Sequence, residues 1–114
     1  MSETIFDKIL AGQIPVDAVY DDDDVVAFND INPKAPVHVL VIPKIRSERF
    51  AEIAHKPIED TGRFFAAVSK VAEILGLNEN GYRIVINNGP DGGQEVEYLH
   101  AHILGGRPLK WPPG

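Results

Sequence analysis

Residues 98–106 read Tyr-Leu-His-Ala-His-Ile-Leu-Gly-Gly, and this stretch decides how the rest of the chain is interpreted. The alternation is typical of a β-strand with one apolar and one polar face. The apolar face carries Leu99, Ala101 and Ile103, and the other face carries Tyr98, His100 and His102. Because imidazole changes its charge near neutral pH, two histidines on one face favour acid–base, nucleophilic or metal chemistry. Two surface histidines that happen to alternate are the other interpretation.

The size of the chain predicts a single domain, 1–114, with a C-terminal tail from about residue 107. Its 114 residues are 44% hydrophobic, which is enough for one core and too short for two comfortable domains. The sequence contains no cysteine, which excludes disulfides, zinc–thiolate sites and a cysteine nucleophile. This composition fits a reducing compartment, and we expect a cytoplasmic protein.

Charge and hydropathy argue against two classes of partner. The formal net charge of −6 is unfavourable for a nonspecific nucleic-acid binder, which is usually basic. No apolar stretch approaches the length that spans a bilayer, and residues 1–8 lack the pattern of a secretion signal. We therefore expect neither nucleic-acid nor membrane binding, while a local positive site for a small anion remains compatible with this charge.

Hydrophobic periodicity predicts an α+β domain with a mostly antiparallel sheet, because the helices lie between groups of strands without regular alternation. Helices are predicted over 4–11, 47–54 and 58–75, strands over 16–20, 25–29, 37–42, 82–87 and 99–104, and a tight loop over 88–93. Four aspartates, residues 21–24, join the first two strands. An EF-hand loop is excluded there because its fifth and sixth positions would be Val25 and Val26, so we predict a solvated turn.

His38 is a candidate partner for the histidine pair. A lone histidine in an apolar strand is often a hydrogen-bonded core residue. If its strand lies beside the strand of His100, a third imidazole could orient or reprotonate the others, and three histidines could also bind zinc. His55, before Lys56-Pro57, is predicted to lie at the surface.

Three further segments could hold a ligand. The glycines of residues 87–95 would allow backbone N–H groups to converge on a phosphate, although an ordinary turn is the alternative. Phe28-Asn-Asp-Ile31 could stack a base and bind ribose hydroxyls, or supply a core aromatic and a turn cap. Trp111-Pro-Pro-Gly114 is a rigid aromatic tail that could dock on a symmetry mate.

Together these residues resemble the histidine triad (HIT) family, specifically its Hint branch of purine nucleoside phosphoramidases. The resemblance covers nearly the whole chain and rests on many separate matches in one order. The matching stretches are TIFDKI 4–9, AFNDINP 27–33, APVHVLVIPK 35–44, GYRIVIN 81–87, DGGQ 91–94, HAHILGGR 100–107 and WPPG 111–114.

This resemblance implies a fold of about five antiparallel strands, with the sheet extended across a homodimer. It implies that a purine nucleotide or nucleoside 5′-phosphoramidate binds and that histidine attacks the α-phosphorus. The amine leaves, and water then releases the nucleoside monophosphate from a nucleotidyl-histidine, without a metal or other cofactor.

The resemblance also assigns roles to individual residues. His100 matches the nucleophile, His102 the neighbouring histidine that contacts phosphate, and His38 a remote histidine of the hydrogen-bond network. The remaining matches are nucleotide contacts: Asp30 for ribose; Asn87, Gly93, Gln94, Glu95 and Val96 on the phosphate side; Ile5, Phe6, Ile9, Phe28, Ile31 and Leu40 around the base; and Trp111 in the tail, near the partner subunit's site.

The chain departs from the family pattern at Tyr98, which stands where the first histidine of the triad is expected, and at Glu97, where an aromatic residue is common. A phenol cannot replace a neutral imidazole base at neutral pH. In the family, however, the main-chain carbonyl at that position accepts a hydrogen bond from Nδ1 of the nucleophile, and a carbonyl survives the exchange. We therefore expect His100 to stay oriented, while the bulkier tyrosine could shift the strand, narrow the site and reduce activity.

Four hypotheses follow. The leading one is a hydrolase that cleaves the P–N bond of purine nucleoside phosphoramidates. The second is a nucleotide-binding protein of the same fold with weak or no turnover, and the third is a metal-binding module that uses His38, His100 and His102. The fourth is a role in a protein complex, for which the sequence identifies no partner.

Overall fold

The computed structural model describes residues 2–114 and contains one antiparallel sheet. Met1, the first residue of the segment predicted to lack a secretion signal, lies outside the described residues. The strands are β1 (Ala18–Asp21), β2 (Val25–Asn29), β3 (Val37–Pro43), β4 (Tyr82–Val85) and β5 (Ala101–Gly105). Their order in the sheet is β1-β2-β3-β5-β4, and every neighbouring pair is antiparallel. The predicted α+β class is confirmed.

The pairing of β3 with β5 brings the third histidine to the pair. Leu40 lies opposite His102, and His38 lies opposite Leu104. Because alternate residues share a face, His38, Leu40, His100 and His102 all project from the same side of the sheet. The strand of His38 therefore lies beside the strand of the histidine pair, which is the arrangement in which a third imidazole could orient the other two.

The helices are α1 (Ile5–Leu10), a 3₁₀ helix (Phe50–His55), α2 (Ile58–Ile74) and a single helical turn, α3 (Gly89–Gly92). A capping box starts α1, since Asp7 N–H donates to Thr4 Oγ1 at 3.2 Å and Thr4 N–H donates to Asp7 Oδ2 at 2.7 Å. Gly12 follows the helix with a φ of +76°, a backbone conformation in which glycine commonly ends a helix. Within residues 2–114, no helix combines the length and hydropathy needed to cross a bilayer.

A hydrophobic cluster covers each face of the sheet, and α1 and α2 pack on opposite faces. α2 packs on the face that carries Leu99, Ala101 and Ile103. α1 packs on the face that carries the histidines, where Phe6 joins the second cluster. The other buried members of that second cluster are Val26, Phe28, Leu40, Ile42 and Tyr98. The site is thus built on the less heavily covered face, beside α1.

Several predicted boundaries differ from the structure for local reasons. β5 begins two residues later than predicted because Leu99 N–H donates to the Ser47 carbonyl instead of to a strand. β1 begins at Ala18 and β4 ends at Val85. The helix predicted over 47–54 is a 3₁₀ helix starting at Phe50, and the loop predicted over 88–93 contains the turn α3.

The acidic run between β1 and β2 forms the predicted turn. Asp22 Oδ1 accepts hydrogen bonds from the backbone N–H groups of Asp24 and Val25 at 2.7 and 2.8 Å. Asp22 Oδ2 accepts the Tyr20 hydroxyl at 2.7 Å. This carboxylate therefore closes the turn of a hairpin, as aspartate commonly does.

Candidate active site

His100 is held in one tautomer by the backbone. Its Nδ1 lies 2.6 Å from the Tyr98 carbonyl oxygen, which can only accept a hydrogen bond. The proton of the neutral ring is therefore on Nδ1, and Nε2 carries a free lone pair. The ring is buried, with the edge of Phe6 packed against it at a centroid distance of 5.0 Å. This is the arrangement that a nucleophilic imidazole needs.

His102 is held in the opposite tautomer through His38. The Lys34 N–H donates to His38 Nδ1 at 3.0 Å, so the proton of a neutral His38 is on Nε2. His38 Nε2 lies 2.9 Å from His102 Nδ1 and donates to it. The proton of a neutral His102 is then on Nε2, where it can donate to an incoming anion. The site thus combines one imidazole that offers a lone pair with one that offers a proton.

Asp30 connects this network to the turn after β2. Its Oδ1 accepts from the Asn32 N–H at 2.8 Å, which confirms the predicted turn cap. Its Oδ2 lies 3.4 Å from His38 Nε2. The carboxylate therefore lies at the edge of the histidine cluster, at the end of a strand, where the resemblance expects a ribose-binding acid.

Burial keeps the three histidines neutral near pH 7. It lowers the pKa of His102 to about 4, and the neighbouring His100 and His38 add to this effect. Burial also lowers the pKa of His100, opposed by the Tyr98 carbonyl and by the carboxylates of Asp30 and Glu95. The pKa of His38 is lowered by burial too, with Asp30 opposing. Neutral rings are what both hydrogen-bond assignments require.

The glycine-rich segment forms a compact turn beside the end of β4. Gly93 has a φ of +79° and ends α3, with its N–H donating to the Pro90 carbonyl at 3.0 Å. A β-carbon built on Gly92 would lie 3.7 Å from the carbonyl carbon of Asn87, so the turn packs on that residue. Asn87 and Gly93, which the family resemblance assigns as phosphate contacts, therefore lie close together in the same turn.

Gln94 has a structural role that the sequence analysis did not assign. Its Oε1 accepts from the Gly89 N–H at 2.9 Å, and its Nε2 donates to the carbonyls of Glu48 and Val96 at 2.7 and 3.0 Å. Because one acceptor and two donors are engaged, the amide joins both ends of the turn to the segment before the 3₁₀ helix. Glu95 is exposed beside it.

The residues assigned to the base differ widely in exposure. Phe6, Phe28 and Leu40 are buried together, and Ile9 and Val96 pack against them. Ile5 is about half exposed and Ile31 is fully exposed. The structure therefore brings three of the base-pocket residues into one apolar wall and leaves Ile31 at the surface next to Asp30.

The C-terminal tail lies along β4. Arg83 Nη2 donates to the Lys110 carbonyl at 3.0 Å, and the Arg83 guanidinium lies 6.0 Å from the centre of the Trp111 ring. The Trp111 side chain is 81% exposed. Its indole is thus presented at the edge of the sheet, outside the apolar wall of its own chain.

A protein-family model described as the HIT domain matches residues 11–109. The chain belongs to the HIT family. Purine nucleoside phosphoramidase of Escherichia coli K12 is 47% identical over 94% of this chain and 90% of its own length. Adenylylsulfatase HINT1 of Arabidopsis thaliana is 47% identical over 99% of this chain and 78% of its own, and a 14 kDa zinc-binding protein of Zea mays is 49% identical over 99% and 89%.

Solved structures support the same assignment. A histidine triad protein from Clostridium difficile superposes with a TM-score of 0.87 at 43% identity, covering 96% of this chain and 97% of that one. The resemblance to the Hint branch is confirmed by these relatives, and this HIT protein is an enzyme, a nucleotide hydrolase.

The departure at Tyr98 leaves the backbone contact of this HIT protein intact. The Tyr98 carbonyl accepts from His100, as expected from the family pattern. The phenol ring is buried on the α1 side of the sheet, and its hydroxyl donates to the Pro43 carbonyl. Burial raises the pKa of Tyr98 to about 12, so the ring is a neutral packing element.

One group of side chains could hold a metal ion, and it differs from the hypothesised set of His38, His100 and His102. Ligand atoms of Asp30, His38 and His102 lie within 4.8 Å of one another, and this is the one such group within residues 2–114. His100 is not part of it. Two imidazole nitrogens and a carboxylate fit zinc chemically. One nitrogen of each ring, His38 Nε2 and His102 Nδ1, is already engaged in the 2.9 Å contact between the two residues.

Two contributors to the site escaped the sequence analysis. One is the Lys34 N–H, which sets the tautomer of His38 and has no side-chain signature. The other is the ion pair between Asp7 and Arg46, which lies against the Tyr98 ring. Asp7 and Arg46 are 39 residues apart, so no local sequence pattern pairs them.

Proposed function

We propose that this HIT protein hydrolyses the P–N bond of purine nucleoside 5′-phosphoramidates through a covalent nucleotidyl-His100 intermediate. The observation that carries the proposal is the 2.6 Å contact between His100 Nδ1 and the Tyr98 carbonyl, because it leaves Nε2 as a lone-pair donor. The name of the Escherichia coli relative, purine nucleoside phosphoramidase, supports the substrate class.

The reaction would proceed in two displacements at phosphorus. His100 Nε2 forms a bond to the α-phosphorus, the P–N bond breaks, and the departing amine takes a proton from solvent. Water then attacks the nucleotidyl-histidine, and the P–N bond to His100 breaks to release the nucleoside monophosphate and the free imidazole. Covalent catalysis of this kind replaces one difficult step by two easier ones.

The surroundings of His100 supply the groups that this chemistry uses. The Nε2–H of His102 can donate to a phosphate oxygen on which charge accumulates. The family resemblance assigns the turn around Gly93 to the phosphate side, and the wall formed by Phe6, Phe28 and Leu40 can take a purine. Asp30 lies at the strand end where ribose hydroxyls would be bound.

The test is steady-state hydrolysis of an adenosine 5′-phosphoramidate that carries a reporter amine. His100→Ala should lower kcat by at least about a thousandfold, since the nucleophile is lost. His55→Ala is the matched control, because His55 is exposed at the end of the 3₁₀ helix and away from the cluster. Intact mass spectrometry of quenched reactions should detect the adenylyl adduct in the parent and none in His100→Ala. Unchanged turnover in His100→Ala would refute the assignment.

A nucleotide-binding protein with little turnover is the second candidate, and the specific observation behind it is Tyr98 in the first triad position. It predicts that adenosine monophosphate binds in calorimetry while the parent releases no amine. Restoration of turnover by Tyr98→His would then identify the tyrosine as the disabling residue. Turnover in the parent excludes this candidate.

The names of the relatives differ in the leaving group that they imply. The Arabidopsis relative is named for an adenylyl sulfate substrate, whereas the Escherichia coli relative is named for a phosphoramidate. Adenosine 5′-phosphosulfate should therefore be assayed beside the phosphoramidate. If the phosphosulfate were cleaved and the phosphoramidate were not, the proposed substrate would be wrong, while the role of His100 would be unchanged.

Metal binding is tested on the same preparation. The group formed by Asp30, His38 and His102 motivates it. Elemental analysis after chelation and incubation with zinc should give no stoichiometric zinc if the histidines serve only the phosphoryl transfer. One equivalent of zinc that is lost in His38→Ala would establish a metal site.

A homodimer formed through β4 is part of the proposal. β4 is the last strand of the sheet, and within residues 2–114 it pairs with β5 alone, so its other edge can pair with a second copy. Trp111 lies beside that edge, where a partner subunit's site could receive it. Sedimentation equilibrium should give twice the chain mass, and a monomer at all concentrations would contradict this assembly.

A further inference from the structure

Tyr98 is the largest fully buried side chain among residues 2–114, with 1% of its surface exposed. Its ring lies edge-on to Phe6 at a centroid distance of 6.0 Å and beneath the Arg46 guanidinium at 5.3 Å. Its hydroxyl donates to the carbonyl of Pro43, the last residue of β3. Three separate contacts therefore hold this one ring.

The cation above the ring is itself fixed. Arg46 donates through Nε to Asp7 Oδ1 at 2.7 Å and through Nη2 to Asp7 Oδ2 at 3.0 Å, a two-point ion pair. Asp7 also accepts from the Thr4 N–H in the capping box of α1. The first turn of α1, Arg46 and the Tyr98 ring thus form a continuous support, called here the Tyr98 brace and defined by Asp7, Arg46 and Tyr98.

The backbone at Tyr98 needs such a support because the sheet does not supply one. β5 begins at Ala101, three residues later. The Tyr98 N–H donates to Val96 within the same loop at 2.8 Å, and the next N–H, of Leu99, donates to Ser47. The Leu99 N–H belongs to the same peptide group as the Tyr98 carbonyl, so the bond to Ser47 helps to orient this carbonyl from outside the sheet. The Tyr98 side chain is the second contact that holds this residue, and the carbonyl determines the tautomer of His100.

We propose that Tyr98 is a positioning residue for the nucleophile: its side chain, held by Pro43 and by the Asp7–Arg46 pair, acts with the Leu99–Ser47 bond to fix the carbonyl that orients His100. The tyrosine then stabilises the geometry of the site from behind and has no contact with the reacting atoms. This inference rests on the proposed role of His100. It assigns a function to the tyrosine that replaces the first histidine of the triad. The Asp7–Arg46 pair contributes to the same function by holding the tyrosine ring.

Phe6 connects the Tyr98 brace to the side of the site where the base would bind. Its ring contacts both Tyr98 and His100, at 6.0 and 5.0 Å between centroids. A base that packs on α1 would therefore press on the same aromatic contacts that hold the nucleophile. Loosening the Tyr98 brace should affect kcat more than KM, because the base contacts remain while the orientation of His100 is lost.

The test removes the hydroxyl alone. Tyr98→Phe should lower kcat about tenfold with KM changed less than about twofold, and the Nδ1–H resonance of His100 should exchange faster with solvent in ¹⁵N-resolved NMR. Tyr20→Phe is the matched control, because it also removes a tyrosine hydroxyl with one hydrogen bond, to Asp22 in the distant hairpin. It should leave kcat and the His100 resonance as in the parent.

Arg46→Lys tests the brace independently, since it keeps the positive charge and loses the two-point pairing with Asp7. It should also lower kcat more than KM and speed exchange at His100 Nδ1. Parent values of kcat and of this exchange rate in both Tyr98→Phe and Arg46→Lys would overturn the inference. The NMR measurement does not require turnover, so it distinguishes failure of the brace from failure of the proposed hydrolysis.

Discussion

His38 Nε2 and His102 Nδ1 share one proton across 2.9 Å, and this contact gives two neighbouring histidines of the site different chemical roles. The chain of donors starts at the Lys34 N–H and ends at His102 Nε2. His100, two residues before His102, receives the opposite tautomer from a carbonyl. Two histidines on one face of the sheet therefore differ in chemistry: His100 Nε2 offers a lone pair and His102 Nε2 offers a proton. The Tyr98 carbonyl sets the first tautomer, and the Lys34 N–H sets the second through His38.

Removing His38 should damage catalysis through His102. In His38→Ala, His102 Nδ1 loses its donor and the tautomer is no longer set, so kcat should fall roughly tenfold to a hundredfold with a smaller change in KM. His38→Gln keeps an N–H donor near the position of Nε2 and should retain more activity than His38→Ala. His55→Ala should match the parent. Equal activity of His38→Ala and the parent in the phosphoramidate assay would show that the donor chain has no catalytic role.

The pH dependence of activity should reflect the burial of the nucleophile. His100 attacks as the neutral ring, and burial lowers its pKa below the ordinary histidine value of about 6.5. The neutral form therefore persists below that pH, and the acid limb of kcat/KM should have its midpoint below about 6.5. A profile of kcat/KM from acid to neutral pH, with NMR titration of His100 beside it, checks this. An acid limb at or above the ordinary value would contradict the burial argument.

Stability should fall on mild acidification for a related reason. An unfolded His102 binds a proton as the pH falls through about 6.5, whereas the folded residue stays neutral down to about 4. The unfolded state thus binds more protons in this window, so the free energy of unfolding decreases as the pH falls from about 6.5 to 4. One such proton gives at most about 1.4 kcal/mol per pH unit.

Urea unfolding at several pH values between 4 and 7 measures this slope. His102→Gln should make the slope shallower, because one of the buried groups that resists protonation is removed. His55→Ala, which changes an exposed histidine, serves as the control. A slope that is the same in His102→Gln as in the parent would show that His102 does not contribute to it.

Much of the sheet could be predicted from the sequence because local alternation and local caps determine it. The alternation around Ala101 predicts which face packs on α2, and the helix predicted over 4–11 agrees with α1 within one residue at each end. The turn at Asp22 follows from the length of the acidic run. These features depend on residues that are close in sequence, where a pattern contains the whole interaction.

The parts that could not be predicted depend on distant partners or on backbone atoms. The sequence does not show that Asp7 pairs with Arg46, or that the Tyr98 hydroxyl reaches Pro43. It places Gln94 among the ligand contacts, because a glutamine beside glycines has no signature that separates a structural amide from a binding one. The late start of β5 likewise follows from a bond between Leu99 and Ser47 that spans half of the chain.

Gln94 gives a last prediction, since its amide connects three backbone groups that no other side chain joins among residues 2–114. Gln94→Ala would leave the Gly89 N–H without its acceptor and free the turn α3 from Glu48. The free energy of unfolding should decrease by about 1–3 kcal/mol, the usual cost of losing buried hydrogen-bond partners. KM should rise as well, because the turn that carries Gly93 would be less ordered before substrate binds.

Gln94→Glu separates the two effects. A carboxylate can still accept from Gly89, but it cannot donate to the carbonyls of Glu48 and Val96, so this variant should be less stable than the parent at neutral pH. The difference from the parent should narrow as the pH falls, because the protonated acid regains one donor. Gln13→Ala, an exposed glutamine after α1, is the control for both measurements. If Gln94→Ala raised KM without any change in urea unfolding, the amide would be a direct ligand of the nucleotide, as the family resemblance implies, and not a brace for the turn.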